Sequence, residues 1–248
     1  MSGLTGTNFG ETIAYWYFRL NGFFPITNFV QHRVAITRRS SSDGSGRPLR
    51  PGRRTNSDAD ILAVRFPHVF EDVGGQCDDW DDARFETWNW DFRNRIVAVI
   101  CQVKTGKWRK REVETAFARE RLEYAINRFG IFPKCDSFQL SNELYDQPSV
   151  RRDNISISKV LMSPRGHTPS STSEASLNVE QCCRLDLEDA HAFIQARIGK
   201  YSDEKRASRM LFADQGIQAL AYFNGSPFVF PGLSVSSSGA VQQTMECG

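Results

Sequence analysis

Residues 96–105 read IVAVICQVKT, an apolar run that ends in two polar side chains, Gln102 and Lys104. The run is rich in β-branched residues and predicts a buried strand. Because side chains alternate between the two faces of a strand, Gln102 and Lys104 share one face and Val103 lies on the other. A lysine at the end of a buried strand needs a negative charge nearby. The sequence therefore predicts a polar site at this strand end.

A second apolar run, residues 57–64 (SDADILAV), begins with two aspartates that can supply this charge. If the two runs pair as neighbouring strands, Asp60 meets Gln102 and Lys104. Carboxylate and amide oxygens suit Mg²⁺ or Mn²⁺, and a lysine can stabilise charge that develops on a phosphate. Asp58 lies two residues from Asp60 and is an alternative metal ligand.

These motifs resemble the PD-(D/E)xK nuclease superfamily. That pattern has an aspartate at one strand and a (D/E)-x-K motif at the next, often with a glutamate on the preceding helix. Here Asp60 matches the aspartate, Gln102-Val103-Lys104 the strand motif, and Glu11 the helix glutamate. The family usually has Asp or Glu where this chain has Gln102, and the Gln-x-Lys form is similar to Mrr-type restriction enzymes.

The resemblance covers roughly residues 8 to 130 and implies an α/β fold with a restriction endonuclease-like core, a central mixed sheet flanked by helices. It implies a deoxyribonuclease that uses Mg²⁺ (or Mn²⁺) to hydrolyse DNA phosphodiester bonds. The implied metal ligands are Asp60, Gln102, Glu11 and the carbonyl of Val103. Lys104 would orient the attacking water or neutralise the transition state.

The segment that contains Glu11, residues 8–21, has apolar residues at helical spacing and predicts an amphipathic helix. Asn8 can cap the start of this helix, and Glu11 follows three residues later, as in a capping box. Capping is therefore an alternative role for Glu11, beside the metal site.

Residues 38–56 contain many arginines among Ser, Gly and Pro, a composition that predicts a mobile loop. The loop is either a solvated insertion or a clamp for the DNA backbone, because arginines neutralise phosphates. The arginines predicted to bind DNA are Arg38, Arg39, Arg47, Arg50, Arg53 and Arg54.

Residues 71–91 form an acidic, tryptophan-rich insertion between the two proposed active strands. The favoured interpretation is an exposed hairpin or loop whose tryptophans fold onto the body of the protein. The alternatives are a surface for a protein partner and an acidic flap that competes with DNA for the arginine loop.

The remaining elements predict a nuclease-like core over residues 1–162, a helical extension over 163–231 that packs on it, and a flexible tail over 232–248. Residues 109–129 predict one long helix with many charged residues, favoured as an ion-paired surface helix over a DNA-binding one. Residues 155–162 predict a further strand.

The composition is that of a soluble globular protein: 248 residues, 40% hydrophobic, with a net charge of +2. The chain shows no membrane span and no signal peptide, so its six cysteines are expected to be reduced thiols of a cytoplasmic protein. A zinc site at Cys182, Cys183 and His191 is disfavoured, because adjacent cysteines rarely both reach one ion.

Two other functions remain open. The same fold could serve as a catalytically weak or inactive subunit that binds nucleic acid or acts as a scaffold, because Gln102 removes a charge from the metal site. In a different α/β protein, Lys104 and Asp60 would form a structural ion pair.

Overall fold

The computed structural model describes residues 9–31, 57–71, 79–105, 108–166 and 181–201, together with the backbone of two short strands near the C-terminus. Its helices are α1 (Phe9–Leu20), α2 (Asp82–Thr87), α3 (Lys110–Ala116), α4 (Arg119–Phe129), α5 (Ser137–Asp146) and α6 (Leu187–Lys200). A single turn of 3-10 helix, Lys134–Asp136, precedes α5.

The strands are β1 (Phe24–Gln31), β2 (Ser57–Arg65), β3 (Ile96–Val103), β4 (Ser149–Arg152), β5 (Ile155–Ser163), β6 (Cys183–Asp186), β7 (Ser234–Val235) and β8 (Val241–Gln242). The order in the main sheet is β1-β2-β3-β5-β4, and β6 also pairs with β5. Neighbouring strands are antiparallel except for β3–β5 and β5–β6, which are parallel. The fold is therefore α/β, with a mixed open sheet flanked by helices, as the sequence predicts at this coarse level.

Helices cover both faces of this sheet. One face, here called the α1 face, packs against α1, α6 and the aromatic segment around α2. The opposite face, here called the α4 face, packs against α3, α4 and α5. β3 supplies both cores, because its successive side chains alternate between them. Val99 and Cys101 belong to the α1 face, whereas Ala98 and Ile100 belong to the α4 face.

The acidic insertion is built into the core of the α1 face. Trp80, Trp88 and Trp90 are at most 8% exposed, so the tryptophans do fold onto the body of the protein. The segment is not a hairpin, however, because part of it forms helix α2, whose Phe85 stacks on Trp90 with ring centroids 5.3 Å apart. Residues 72–78 of this insertion lie outside the described part of the chain.

Two acidic side chains of the insertion bind neighbouring helices. Asp79 accepts hydrogen bonds from Tyr201 and from Lys200 Nζ, the latter over 2.8 Å at the end of α6. Asp81 accepts one from the hydroxyl of Tyr17 in α1 over 2.7 Å. Burial and the charge of Asp81 raise the pKa of Tyr17 well above its usual range. These carboxylates thus stabilise the fold from within.

The prediction of one long helix over residues 109–129 is wrong. The chain forms α3 and α4, separated by Phe117 and Ala118, and Ala118 has an extended backbone with ψ of 147°. At about 100° per residue, Val113 and Leu122 would lie on opposite sides of one continuous helix. The break lets both side chains enter the same core on the α4 face.

The C-terminal region contributes a strand as well as a helix. β6 extends the sheet beside β5, and α6 packs across α1. Residues 167–180 and 202–231 of the predicted helical extension lie outside the described residues, and so does the predicted tail except for the β7–β8 ladder. No helix within the described residues is both long enough and apolar enough to cross a membrane.

Candidate functional site

The end of β3 brings Asp60 and Gln102 into direct contact. β2 and β3 are antiparallel neighbours with Ile61 opposite Cys101, which places Asp60 across from Gln102. The Gln102 side-chain amide donates a hydrogen bond to Asp60 Oδ2. The Val103 backbone N–H donates another to the same oxygen over 2.6 Å. The two runs singled out in the sequence therefore do pair, and two donors hold the Asp60 carboxylate at the end of the sheet.

The environment of this pair is partly closed. Gln102 is only 8% exposed, whereas Asp60 is half-buried and so retains contact with solvent. Burial and, to a smaller extent, the negative charge of Asp60 raise the pKa of the neighbouring Cys101 thiol well above its usual value. Asp60 thus carries its charge in a region where water screens it only in part.

Lys104 follows directly after β3. Its backbone N–H donates to the carbonyl of Met162 over 2.8 Å, which extends the β3–β5 ladder, and its side chain is half-buried. Alternation along the strand places this side chain on the same face as Gln102. No ion pair between Lys104 and Asp60 occurs among the described residues, so the structural ion pair considered as an alternative lacks its contact.

Glu11 lies at the same end of the sheet but in a helix of the opposite face. A Cβ atom on the preceding residue, Gly10, would collide with Thr105 Cγ2 and lie 3.0 Å from Val103 Cγ1. Only glycine allows α1 to approach the end of β3 this closely. The Glu11 side chain is half-buried. Helix α1 thus carries Glu11 to the strand end that also presents Lys104.

Comparison of the chain with family models, curated proteins and solved structures found no match. The residues at this strand end are therefore what points to a function.

Several predicted site residues cannot be placed. The six arginines of the loop, Asn8 and the side chain of Asp58 lie outside the described part of the chain. The backbone at Asp58 belongs to β2, opposite Val30 of β1.

The oxygens at this strand end suit a hard divalent cation, but the carboxylates are few. Within the described ranges, no group of three or more His, Cys, Asp or Glu side chains is arranged to hold a metal. Asp60 and Gln102 could supply one oxygen each, through Oδ1 and Oε1, since Asp60 Oδ2 and the Gln102 nitrogen bind each other. The donor chemistry fits Mg²⁺ or Mn²⁺, and Glu11 is the carboxylate that could add to it.

The alternative zinc site is not formed. The side chain of Cys182 lies in the core of the α4 face and that of Cys183 in the core of the α1 face. Both cysteines are free thiols. They point to opposite sides of the sheet and cannot bind one ion together, as their adjacency in the sequence suggests.

Sequence reasoning missed Lys159, the buried lysine of the sheet. It is 0% exposed and lies in β5 beside Ile100 of β3. Its Nζ donates to the carbonyl of Tyr145 over 2.7 Å and lies 6.0 Å from the centroid of the Phe117 ring. Burial lowers the pKa of Lys159 to about 8, partly offset by Cys182 and by the Asp146 carboxylate. The signal in the sequence was one cation in an otherwise uncharged strand, ISISKVLMS.

Proposed function

We propose that the protein is a metal-dependent nuclease that hydrolyses DNA phosphodiester bonds at the end of β3. The observation that carries the proposal is the contact between Asp60 and Gln102 in neighbouring strands, with Lys104 two residues beyond Gln102. Burial of polar groups at a strand end costs free energy unless they are hydrogen-bonded, and here Asp60 accepts hydrogen bonds from Gln102 and from the Val103 N–H. The mixed sheet flanked by helices is compatible with a restriction endonuclease-like core.

Each residue has a role in this proposal. Asp60 and Gln102 would hold Mg²⁺ or Mn²⁺, with Glu11 and the Val103 carbonyl as further ligands. The bound cation would neutralise the phosphate and lower the pKa of a water molecule. The Gln102 amide and the Val103 N–H fix the Asp60 carboxylate before substrate arrives, which avoids reorganisation during the reaction. The Lys104 ammonium would stabilise the charge that develops on the phosphate or orient the attacking water.

DNA is the proposed partner because hydrolysis at this site needs a phosphodiester, and the arginines of residues 38–56 are suited to its backbone. The proposal also takes the protein to be cytoplasmic.

One observation favours a second candidate, a nuclease-fold subunit that binds nucleic acid or acts as a scaffold without cleaving it. Gln102 directs its N–H at Asp60, so the pair satisfies itself without a cation. A glutamate at this position would instead repel Asp60 and require one. The two candidates differ in whether the protein cleaves nucleic acid when metal is present.

The test is cleavage of linear, supercoiled and single-stranded DNA with Mg²⁺, Mn²⁺ or EDTA. We expect metal-dependent cleavage that falls at least about 10²-fold in Lys104→Ala, the size expected when one charge-stabilising donor is removed. The melting temperature should stay within a few degrees, because Lys104 is only half-buried. Lys134→Ala, at an exposed lysine outside the sheet, is the matched control and should cleave normally.

Cleavage that persists in Lys104→Ala would contradict the assignment of the site. DNA binding without cleavage under any metal condition would favour the non-catalytic subunit.

A further inference from the structure

A row of side chains crosses the α4 face of the sheet from the candidate site to its outer strand. Asp60 of β2 binds Gln102 of β3, Gln102 lies opposite Leu161 of β5, and Leu161 lies opposite Arg184 of β6. Side chains at paired positions of neighbouring strands project to the same face. Cys182 and Leu161 lie in the core of the α4 face, which places Arg184 on that face too.

In this row, the apolar side chain of Leu161 separates the polar side chains of Gln102 and Arg184. Leu161 is fully buried, whereas Arg184 is exposed. Two strand spacings, roughly 10 Å, separate the backbones of Gln102 and Arg184. The side chains that cover Leu161 therefore lie between the two groups, and a substrate bound at Gln102 and Lys104 would reach Arg184 only by extending over them.

Arg184 differs from the other arginines near β6 in its ion-pair partners. Arg165 forms ion pairs with Asp186 and Asp189, and Arg84 pairs with Asp189 over 2.9 Å. Among the described residues, no ion pair or hydrogen bond holds the guanidinium of Arg184. A cation kept apart from the local carboxylates, on the row of the candidate site, is suited to an anionic ligand, because a guanidinium binds phosphate oxygens in pairs.

We infer that Arg184 binds a second phosphate of the substrate, next to the one that Lys104 faces. This inference depends on the proposed nuclease function. It restricts the substrate class to polynucleotides with at least two neighbouring phosphates and makes Arg184 a positioning residue. Arg184 contributes to holding the strand and leaves the chemistry at the scissile bond to the residues of β2 and β3.

The first measurement is DNA binding in Ca²⁺ or EDTA, as a function of salt, for the wild type and Arg184→Gln. Loss of one phosphate contact should reduce the slope of log K against log salt by about one. Arg184→Lys keeps the charge and should restore the wild-type slope. Arg93→Gln removes the same charge at the opposite end of β3, from an exposed arginine that pairs with Asp82, and should leave the slope unchanged.

The second measurement separates positioning from chemistry. For an oligonucleotide, Arg184→Gln should raise KM about tenfold while kcat stays within about twofold, because binding is lost equally before and during the reaction. For bis(p-nitrophenyl) phosphate, which has one phosphodiester and no second phosphate, KM and kcat should both be unchanged.

The outcomes distinguish this inference from the nuclease proposal. If the wild type cleaves DNA but Arg184→Gln binds with an unchanged slope, the inference about Arg184 fails and the nuclease stands. If the slope falls but no substrate is cleaved, the phosphate contact stands and the nuclease fails. An equal fall of the salt slope in Arg93→Gln would mean that net charge alone causes the effect. A wild type that does not bind DNA would overturn both the inference about Arg184 and the nuclease proposal.

Discussion

On the α1 face of the sheet, aromatic rings contact one another without interruption, whereas on the α4 face the same strands carry Asp60, Gln102 and Lys159. The aromatic core even encloses a cation, since Arg65 lies 4.9 Å from the Trp80 ring and donates to the carbonyl of Asn21 over 3.0 Å. These contacts hold the Arg65 guanidinium within the core of that face. On the α4 face, Asp60 and Gln102 instead lie at one strand end, whereas Lys159 lies within β5 opposite Ile100.

The two faces of the sheet therefore differ in the kinds of side chain that they bury. Burial of aromatic side chains provides most of the folding free energy on the α1 face, because each ring removes a large apolar area from water. The α4 face holds a half-buried carboxylate, a buried amide and a buried lysine, each of which costs free energy unless it is hydrogen-bonded. The Asp60–Gln102 pair of the candidate site lies on the α4 face.

The largest expected effect is the loss of stability when an aromatic ring is removed from the core of the α1 face. Phe85 is fully buried and contacts Trp90 and Phe92, with ring centroids 5.3 and 5.1 Å away. Phe85→Ala should lower the free energy of unfolding by about 3–5 kcal/mol, through lost burial and a cavity. Urea denaturation measures this loss, and cleavage per folded molecule should not change. Phe138→Ala, at a ring that is 66% exposed, is the control and should lose less than about 0.5 kcal/mol.

If Phe85→Ala lowered the free energy of unfolding as little as Phe138→Ala, α2 would not be an integral part of the core. A fall in cleavage per folded molecule in Phe85→Ala would mean that the two faces are coupled.

The second expected effect is a pH dependence of the free energy of unfolding that Lys159 causes. The pKa of Lys159 is about 8 in the folded chain and near 10.5 when unfolded, so between these values the unfolded chain holds more protons. The contribution of Lys159 to stability should therefore rise from pH 8 to pH 10.5, by on the order of 3 kcal/mol. Lys159→Met should remove this rise, which the difference between the two pH profiles of unfolding would measure.

Comparison of profiles is needed because buried thiols act in the opposite direction. The pKa of Cys182 is raised to about 11 and that of Cys183 to about 12, mainly by burial, so their contribution falls as pH rises above 9. Both thiols are present in both proteins, so the effect of their burial cancels in the difference, and what remains is their coupling to Lys159, whose charge lowers both thiol pKa values. Lys134→Met, at an exposed lysine, should give the wild-type profile, and a Lys159→Met profile parallel to it would refute the lowered pKa.

The smallest expected effect is on metal affinity. Gln102→Glu restores the charged ligand usual in the resembling family and places two carboxylates side by side at Asp60. We expect Mg²⁺ to bind about tenfold more tightly, or roughly 1.4 kcal/mol, as measured by calorimetric titration. Gln147→Glu adds the same charge at an exposed position and serves as the control. Unchanged or weaker binding in Gln102→Glu would mean that residue 102 does not face the cation.

Much of the framework could be predicted from the sequence, because local patterns carry it. The helix predicted over residues 8–21 is α1, and the runs before and after the acidic insertion are β2 and β3. The meeting of Asp60 with Gln102 was also predictable, since alternation and pairing of two apolar runs leave few other arrangements. The metal, the DNA and the catalytic roles stay predictions.

Other elements could not be predicted, because long-range packing decides them. The segments α2, β4 and β6 are only four to six residues long, and each forms where the sheet or the core covers it. The break at Phe117 was missed for a different reason, since the charged residues on both sides favour one continuous helix. Only the shared core of α3 and α4 requires the break.

By itself, the sequence determined which strand ends carry polar side chains and which face each side chain takes, since alternation is a property of the local backbone. Only the tertiary structure decided that Lys159 is the lysine buried in the sheet, while Lys104 is half-buried beside Gln102. It also decided that Arg184 shares a row with Asp60 although more than a hundred residues separate them. Burial and neighbourhood across a sheet depend on which strands pair and what covers them, and no local pattern contains that information.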